Sequence, residues 1–227
     1  TYPPTHTTGG AVDVTLLDEY GNELDMGTEF DSISPKAFAD YFEGDMLAVL
    51  TQTAHVLTLK FELCEEAFLQ AHADRLAEMI RANGDRLTTG FVGTPYLLHM
   101  LTAYAHTDLA YTLLFQNKLP SWLYAVEHGA TTMWEHWDGI KPNGDIWPVS
   151  MNSYNHYAYG AVGDWMYGVM AGINTVEDAP GFAKIHFAPV PDNRVDWFKA
   201  EIDTVHGKVS SRWWHEECKV HYEILTP

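Results

Sequence analysis

The sequence is poor in positive charge and in long apolar segments. Its 227 residues contain 13 Lys and Arg against 31 Asp and Glu, a formal net charge of −18. Nucleic acids and anionic membrane surfaces are bound through clustered Lys and Arg, so we expect neither as a partner. No apolar run approaches the ~20 residues of a membrane-spanning helix, which predicts no membrane insertion. The first residues carry no basic stretch followed by an apolar one, so no signal peptide is expected.

Cysteine is almost absent. Cys64 and Cys218 are the two in the chain, and they are 154 positions apart. This number is too small for a disulfide scaffold or a zinc ribbon. We interpret both as separate thiols that are at least half-buried, because a free cysteine behaves as a small hydrophobic residue.

Several familiar catalytic motifs are also missing. The sequence has no GxxxxGK[ST] phosphate loop, no GxGxxG after a strand, no GxSxG elbow and no HExxH. His215 and His221 are six positions apart, and on a strand Cys218 would point away from both, so an edge strand with scattered polar groups is favoured over a metal site. We expect no metal and no cofactor.

The hydrophobic pattern divides the chain into a helical and a β part. Residues 1–35 are irregular apart from a possible strand at 12–17, and a cap-then-Pro start at Ser34-Pro35 opens the helical part. The next segment, 51–63, also alternates like a strand, but helix is favoured. Asp108 is predicted to cap its helix. Helices are predicted at 51–63, 65–82, 94–106, 108–117, 122–127 and 153–173, and strands at 182–188, 195–205, 208–214 and 219–225.

One Gly-bounded loop places a carboxylate between two indoles. Glu135 stands between Trp134 and Trp137, with Asp138 directly after them. Burial against Trp faces raises the pKa of a carboxyl group, which suits acid–base chemistry near neutral pH. The alternative is a connecting loop whose Trp residues fill the core and whose Glu caps a backbone group.

Three further loops combine aromatic and polar residues at helix–helix junctions: residues 88–96, 120–122 and 151–157. In a ring of helical pairs, alternate junctions lie at the same end, so these loops can converge on one cleft. Aromatic faces stack on sugar rings while polar groups bind hydroxyls, which favours a carbohydrate site. His156, beside Asn152 and Asn155, is equally compatible with a functional and a structural role.

Three of these segments resemble one family. Residues 88–98 (TTGFVGTPYLL), 131–138 (TTMWEHWD) and 151–160 (MNSYNHYAYG) are similar, in this order, to the bacterial α-L-rhamnosidases of glycoside hydrolase family 78. Residues 51–54 are a weaker match, and the resemblance covers about residues 51–214. It implies an (α/α)₆ barrel that removes terminal α-L-rhamnose with inversion, with Glu135 as general base and His156 in contact with the sugar.

The chain departs from the family where the general acid is expected. The acid motif, Asp-x-x-x-Arg-x-Glu-Arg followed by Gly-Trp, has no counterpart here, and the first Arg of the chain is Arg75. The resemblance therefore implies a mainly α chain: the C-terminal portion of the barrel at 1–173, with 1–35 as an irregular lead-in. A small antiparallel β-sandwich domain would follow at 174–227.

The sequence thus predicts part of an α-L-rhamnosidase. Its partner would be a rhamnose-containing oligosaccharide or glycoside, the general acid would lie upstream of this chain, and self-association through uncovered barrel helices is possible. The alternatives are a non-catalytic carbohydrate-binding α/α protein and an interaction protein whose aromatic loops only pack. The predicted substrate-binding residues are Trp134, Trp137, His156, Trp122, Asp138, Asn155 and Thr94.

Overall fold

The computed structural model describes residues 51–227, which form one compact unit, together with the backbone of two short strands before it. These strands, β1 (Phe42–Glu43) and β2 (Met46–Leu47), pair antiparallel. The helix predicted from Pro35 is therefore wrong at 42–43, and the rest of it lies outside the described residues. The strand predicted at 12–17 also lies outside them.

Five helices make up most of the helical part of the described unit. Their bounds are α1 Gln52–Phe61, α2 Glu66–Ala82, α3 Thr94–Ala103, α4 Thr107–Leu114 and α5 Trp122–Glu127. The choice of helix over strand for the first segment is confirmed: Thr51 caps α1 through its side chain, which accepts a hydrogen bond from the Ala54 N–H. None of the helices in the described residues is long and apolar enough to cross a membrane.

Two details of these helices differ from the predictions. The N-cap of α4 is His106, and Asp108 lies inside the first turn, where its carboxylate pairs with Arg194 at 2.8 Å. Phe68, predicted on the buried stripe of α2, is instead exposed, whereas His72, Leu76 and Ile80 of the same helix are buried. Phe68 lies in the first turn of α2, whereas the other three lie further along the helix.

The predicted helix at 153–173 is replaced by shorter elements. A 3₁₀ turn (Ala158–Ala161), α6 (Val162–Trp165) and a π-helix (Met166–Met170) follow one another, and Ile173 already belongs to a strand. The glycines of this segment weaken a regular helix. Residues 153–157 instead make hydrogen bonds with the loop around Glu135, which a helical backbone could not provide.

The β part contains two small antiparallel sheets. Strands β3 (Ile173–Thr175) and β4 (Ile185–Phe187) form the first, and β5 (Trp197–Thr204), β6 (Gly207–Glu216) and β7 (Lys219–Leu225) form the second. The last three strands are confirmed almost to the residue, because their alternating pattern is strong. Cys218 lies in the turn between β6 and β7 and is exposed, not half-buried as expected, whereas Cys64 is half-buried.

The β part packs directly on the helical part. Trp213 is fully buried and donates its indole N–H to the Met170 carbonyl at 2.6 Å, and the Ser211 hydroxyl donates to the Ala171 carbonyl at 2.6 Å. Arg194 adds hydrogen bonds to Asp108 and Thr112 of α4. The helical core thus continues into the inner face of the larger sheet.

Candidate active site

Two loops lie side by side and form the centre of the candidate site. One contains Glu135, and the other runs from Asn152 to Tyr157. The Glu135 N–H donates to the Ser153 carbonyl at 2.8 Å, and the His156 N–H donates to the Met133 carbonyl at 2.8 Å. The hydroxyl of Thr132 donates to the Tyr154 carbonyl. These bonds fix the register in which the two loops pair, so the sequence motifs at 131–138 and 151–160 form one structural unit.

The Glu135 side chain is held by this pairing. Its Oε2 accepts a hydrogen bond from the Ser153 N–H at 2.8 Å, and the residue is half-buried. One carboxylate oxygen is thus engaged with the backbone. A carboxylate oriented in this way can accept a proton from a water molecule next to it.

An aromatic cluster brings all four of the predicted loops together. Trp137 stacks on Tyr159 with ring centroids 3.8 Å apart and meets Trp122 edge-on at 5.3 Å. Phe91 stacks on His156 at 4.8 Å and also contacts Tyr159 at 4.9 Å. Trp122 is buried and donates its indole N–H to the Tyr159 carbonyl at 2.9 Å. The predicted convergence of the loops on one place is confirmed.

Tyr159 lies at the middle of this cluster. Its burial raises the pKa of its phenol above the ordinary value of 10, so the group stays neutral at physiological pH. Phe91, in contrast, leaves part of its ring exposed. The cluster is therefore buried at Tyr159 and accessible to solvent at Phe91.

Trp134 faces the interior of its own loop. Only 5% of its surface is exposed. It meets Tyr154 edge-on at 5.4 Å, and a Cβ on Gly139 would lie 2.8 Å from its ring. The Tyr154 hydroxyl donates to the Gly139 carbonyl at 2.9 Å. Only glycine allows the loop to close this tightly over the indole, so Trp134 supports the shape of the loop from inside.

Asp138 is tied to a hairpin that follows the loop. Its Oδ1 accepts the indole N–H of Trp147 at 3.0 Å. Trp147 itself lies against His136, with ring centroids 4.6 Å apart, and under the Lys141 ammonium at 4.1 Å. The hydrogen bond of Asp138 is the contact expected of a residue that steadies the loop.

Thr94 and Asn155 differ in their surroundings. Thr94 begins α3 and is buried, and its hydroxyl lies 2.8 Å from that of Thr89, so it closes the loop that carries Phe91. Asn155 is exposed, and its N–H donates to the Ser153 hydroxyl at 3.2 Å. Of these two side chains, only that of Asn155 is open to solvent.

Sequence reasoning missed some members of the site. Phe91, Tyr159 and Ser153 fall inside the quoted motifs, yet they were not among the candidate site residues. An aromatic residue in a Gly-bounded loop was the available signal for Phe91. The role of Ser153 depends on its backbone, which no side-chain pattern reveals. Within residues 51–227, no three His, Cys, Asp or Glu side chains are grouped as metal ligands.

Two family models match this part of the chain. The bacterial α-L-rhamnosidase 6-hairpin glycosidase domain matches residues 32–170, and the bacterial α-L-rhamnosidase C-terminal domain matches residues 172–227. The chain belongs to the bacterial α-L-rhamnosidase family. Its helical part is accordingly a portion of a six-hairpin barrel, as predicted, and antiparallel strands follow it.

Relatives and solved structures cover the same region. An α-L-rhamnosidase of Streptomyces avermitilis is 48% identical over 163 residues, which is 72% of this chain and 16% of that protein, and one of Formosa agariphila is 38% identical over 177 residues, 78% of this chain and 19% of that protein. The crystal structure of the Streptomyces enzyme complexed with L-rhamnose superposes with a TM-score of 0.76 at 44% identity, over 82% of this chain and 18% of that one. The Aspergillus terreus α-L-rhamnosidase gives a TM-score of 0.73 at 38% identity, over 79% and 21%. The chain thus spans about a fifth or less of the length of these proteins.

The beginning of the chain is similar to a different protein. Residues 1–46 match a D-Ala-D-Ala dipeptidase family model, and a D-alanyl-D-alanine dipeptidase of Synechocystis is 46% identical over 41 residues, 18% of this chain and 17% of that protein. Sequence analysis did not find this similarity. The available signal was that the rhamnosidase motifs begin only at residue 51.

Proposed function

We propose that residues 51–227 form one side of the active site of an inverting α-L-rhamnosidase, with Glu135 as the general base. The observation that carries this proposal is the Glu135 carboxylate, bonded to the Ser153 N–H in the loop pair that adjoins the aromatic cluster. Membership of the rhamnosidase family supports the substrate class, terminal α-L-rhamnose on a glycan or glycoside.

Inverting hydrolysis requires two carboxyl groups. One protonates the departing oxygen, and the other activates water from the opposite face of the sugar, at a separation of about 6.5–9.5 Å. Glu135 would remove the proton from the water, and the resulting hydroxide equivalent would attack the anomeric carbon as the glycosidic bond breaks. The general acid would be supplied from the part of the barrel upstream of this chain. We therefore expect this chain alone to be inactive.

The aromatic cluster would form a wall of the rhamnose pocket. Trp137 and His156 offer the accessible ring surface, and Asn155 an exposed amide for a sugar hydroxyl. Trp122 and Trp134 would support this wall from below, while Asp138 and Thr94 would hold the loops in place. In the same proposal the barrel part gives way to the β domain at residues 172–174, where β3 begins.

A chimera tests the proposal directly. Residues 51–227 would replace the matching segment of the Streptomyces avermitilis relative, which supplies the rest of the barrel. We expect the chimera to hydrolyse an aryl α-L-rhamnoside and to release the product with inverted anomeric configuration, observed by NMR during early turnover. Glu135→Gln should lower kcat by roughly 10²–10⁴-fold, the usual contribution of a general base.

The matched control is Glu127→Gln on α5, which removes an exposed carboxylate whose contact is Asn117 at 3.2 Å. It should leave kcat unchanged. A folded Glu135→Gln chimera with wild-type kcat would remove Glu135 from the chemistry. In that case the alternative, a non-catalytic carbohydrate-binding role for this segment, would be favoured if L-rhamnose still bound.

A further inference from the structure

A row of three adjoining cavities, here called the β5 groove, runs along β5. This strand is at the edge of its three-stranded sheet, and its residues 198–201 line one cavity together with residues of α6 and the π-helix. Three cavities of about 440, 360 and 570 Å³ follow one another along it. The first two share Met166 and Phe198, and the last two share Tyr167 and Glu201. Because a β-strand rises about 3.3 Å per residue, the length of β5 makes the β5 groove roughly 20–25 Å long.

Aromatic rings line the groove along its length. Trp197 stands at the first end with 61% of its surface exposed, opposite Phe115, which is also exposed. Tyr167 lies at the middle with an exposed ring, and Phe182 lines the far end. An exposed indole at the rim of an apolar cleft is typical of a surface that stacks on the flat face of a ligand ring.

The far end of the groove carries carboxylates. Asp164, Glu201 and Asp203 line the third cavity, and all three are exposed. The Lys199 ammonium, which donates a hydrogen bond to Glu201, holds the pKa of that carboxyl below its usual value. Lys199 and Lys208 compensate the charge of Glu201, and Asp164 lies 2.9 Å from His99 Nε2, but the carboxylate oxygens can still accept hydrogen bonds from hydroxyl groups. The lining therefore suits a neutral, hydroxyl-rich ligand.

An added peptide strand fits this edge less well than a sugar chain. The Tyr167 hydroxyl already donates to the Glu201 carbonyl at 3.3 Å. Gly163 and Met166 lie against the middle of β5, and Lys199 is a charged residue on the edge itself. Helix cover and edge lysines are the features by which proteins block pairing with another strand.

We propose that the β5 groove is a second, non-catalytic glycan site that binds a neutral oligosaccharide chain at the junction of the helical and β parts. Junctions between domains are a preferred location for ligand sites, and π-helices often mark functional positions. The groove uses none of the residues of the candidate active site. Its location does not depend on the proposed function, whereas the choice of a glycan as ligand rests on it.

The test is calorimetric titration of the 227-residue chain with an α-L-rhamnan hexasaccharide. We expect Trp197→Ala and Asp203→Asn each to weaken binding at least tenfold. Tyr222→Ala removes an exposed aromatic side chain away from the groove and should keep wild-type affinity. An oligogalacturonate of equal length, which is anionic, should bind at least tenfold more weakly than the rhamnan.

Several results would overturn the proposal. These are no binding to the wild-type chain, wild-type affinity in a folded Trp197→Ala variant, and equal binding of the oligogalacturonate. Trp197-dependent binding of an extended Thr-Val decapeptide would assign the groove to peptides. Binding lost in Trp137→Ala but kept in Trp197→Ala would place the sugar in the active site and leave the proposed function standing. Binding lost in Trp197→Ala but kept in Trp137→Ala would support a glycan site in the groove, even if the chimera is inactive.

Discussion

Glu135 and Ser153 bind each other through two hydrogen bonds in opposite directions. The Glu135 N–H donates to the Ser153 carbonyl, and the Ser153 N–H donates to the Glu135 carboxylate, both at 2.8 Å. The first bond fixes the backbone of the loop, and the second orients the side chain on it. The position of the proposed base is therefore set by a residue 18 positions later in the chain, in a separate motif.

This relationship predicts the effect of Ser153→Pro in the chimera. Proline removes the N–H that orients the carboxylate, and Asn152 already has the extended backbone that a residue before proline requires. A hydrogen bond to a charged group contributes about 1.5–3 kcal/mol, so we expect kcat to fall roughly 10–100-fold with a smaller change in KM.

Ser153→Ala is the matched control for this substitution. It keeps the N–H and loses only the hydroxyl, which accepts the Asn155 N–H at 3.2 Å. Its kcat should stay close to that of the unmodified chimera. Equal kcat values in the Pro and Ala variants, both folded by circular dichroism, would exclude Ser153 as a positioning residue.

A buried histidine pair predicts how stability depends on pH. His55 of α1 is almost fully buried, and its Nδ1 lies 3.1 Å from that of His72 on α2. Burial first, and then the positive charges of His72 and Arg75, lower the pKa of His55 from 6.5 to about 4. The unfolded chain binds this proton at a higher pH than the folded chain does. The associated stability is fully present above pH 6.5 and is lost as the pH falls from 6.5 towards 4.

Urea unfolding between pH 7.5 and 4.5 measures this effect. The difference between the two pKa values corresponds to at most about 3 kcal/mol. His55→Gln should make the free energy of unfolding less dependent on pH in this range. His206→Gln, at an exposed turn between β5 and β6, should follow the wild-type curve. Identical pH dependence in wild type and His55→Gln would contradict the assignment to this pair.

The sequence was most informative where one periodic pattern covers a whole element. The helix α2 and the strands β5, β6 and β7 were predicted within a few residues, because the helical or alternating order of their apolar residues is visible in the sequence itself. The segment 153–173 was mispredicted because hydrogen bonds to the loop around Glu135 determine its first residues. Such bonds join positions 18 or more apart, and a local pattern does not contain them.

The candidate site shows the same division. The aromatic motifs and their convergence could be predicted from the sequence. The side of the loop on which each ring lies could not be predicted. Trp134 and Trp137 are three positions apart, yet Trp134 is buried under Gly139 and Trp137 stacks on Tyr159. That choice depends on the shape of the neighbouring loop.

The next prediction concerns Gly172, which lies at the junction between the helical and β parts. It has a φ of +67°, and a Cβ there would lie 2.0 Å from the Pro189 nitrogen. Gly172→Ala should therefore destabilise the chain by about 3 kcal/mol or more. Gly181→Ala is the control, because Gly181 has a similar φ of +71° and nothing within 4 Å of its would-be Cβ.

Limited proteolysis measures how firmly the two parts are packed together at this junction. No linker rich in Gly and Ser separates the two parts, so we expect the wild-type chain to resist cleavage near residue 175 at low protease concentration. Gly172→Ala should be cleaved there much faster than Gly181→Ala. Release of a stable fragment from the wild-type chain under these conditions would show that the β part is not firmly packed.

The last prediction concerns the chain on its own. Phe61, Leu63 and Phe68 are 55%, 43% and 46% exposed, and they lie within eight residues of one another in the sequence, where α1 ends and α2 begins. Contiguous apolar patches are rarely left bare in soluble proteins. We expect the isolated chain to self-associate through this patch, or to be poorly soluble, and association should increase with salt because a net charge of −18 opposes it at low ionic strength.

Sedimentation velocity over a range of protein and salt concentrations measures this association. Phe61→Ser combined with Phe68→Ser should reduce it. Val205→Ser should not, because Val205 is 89% exposed but lies at the tip of the β5–β6 turn, away from the patch. The same preparations should not hydrolyse an aryl α-L-rhamnoside, since positioned proton donation to the departing oxygen contributes about 10²–10⁴-fold and the proposed acid lies outside this chain. Robust turnover by a monomer of these 227 residues would contradict both the upstream location of the acid and the need for the remaining barrel.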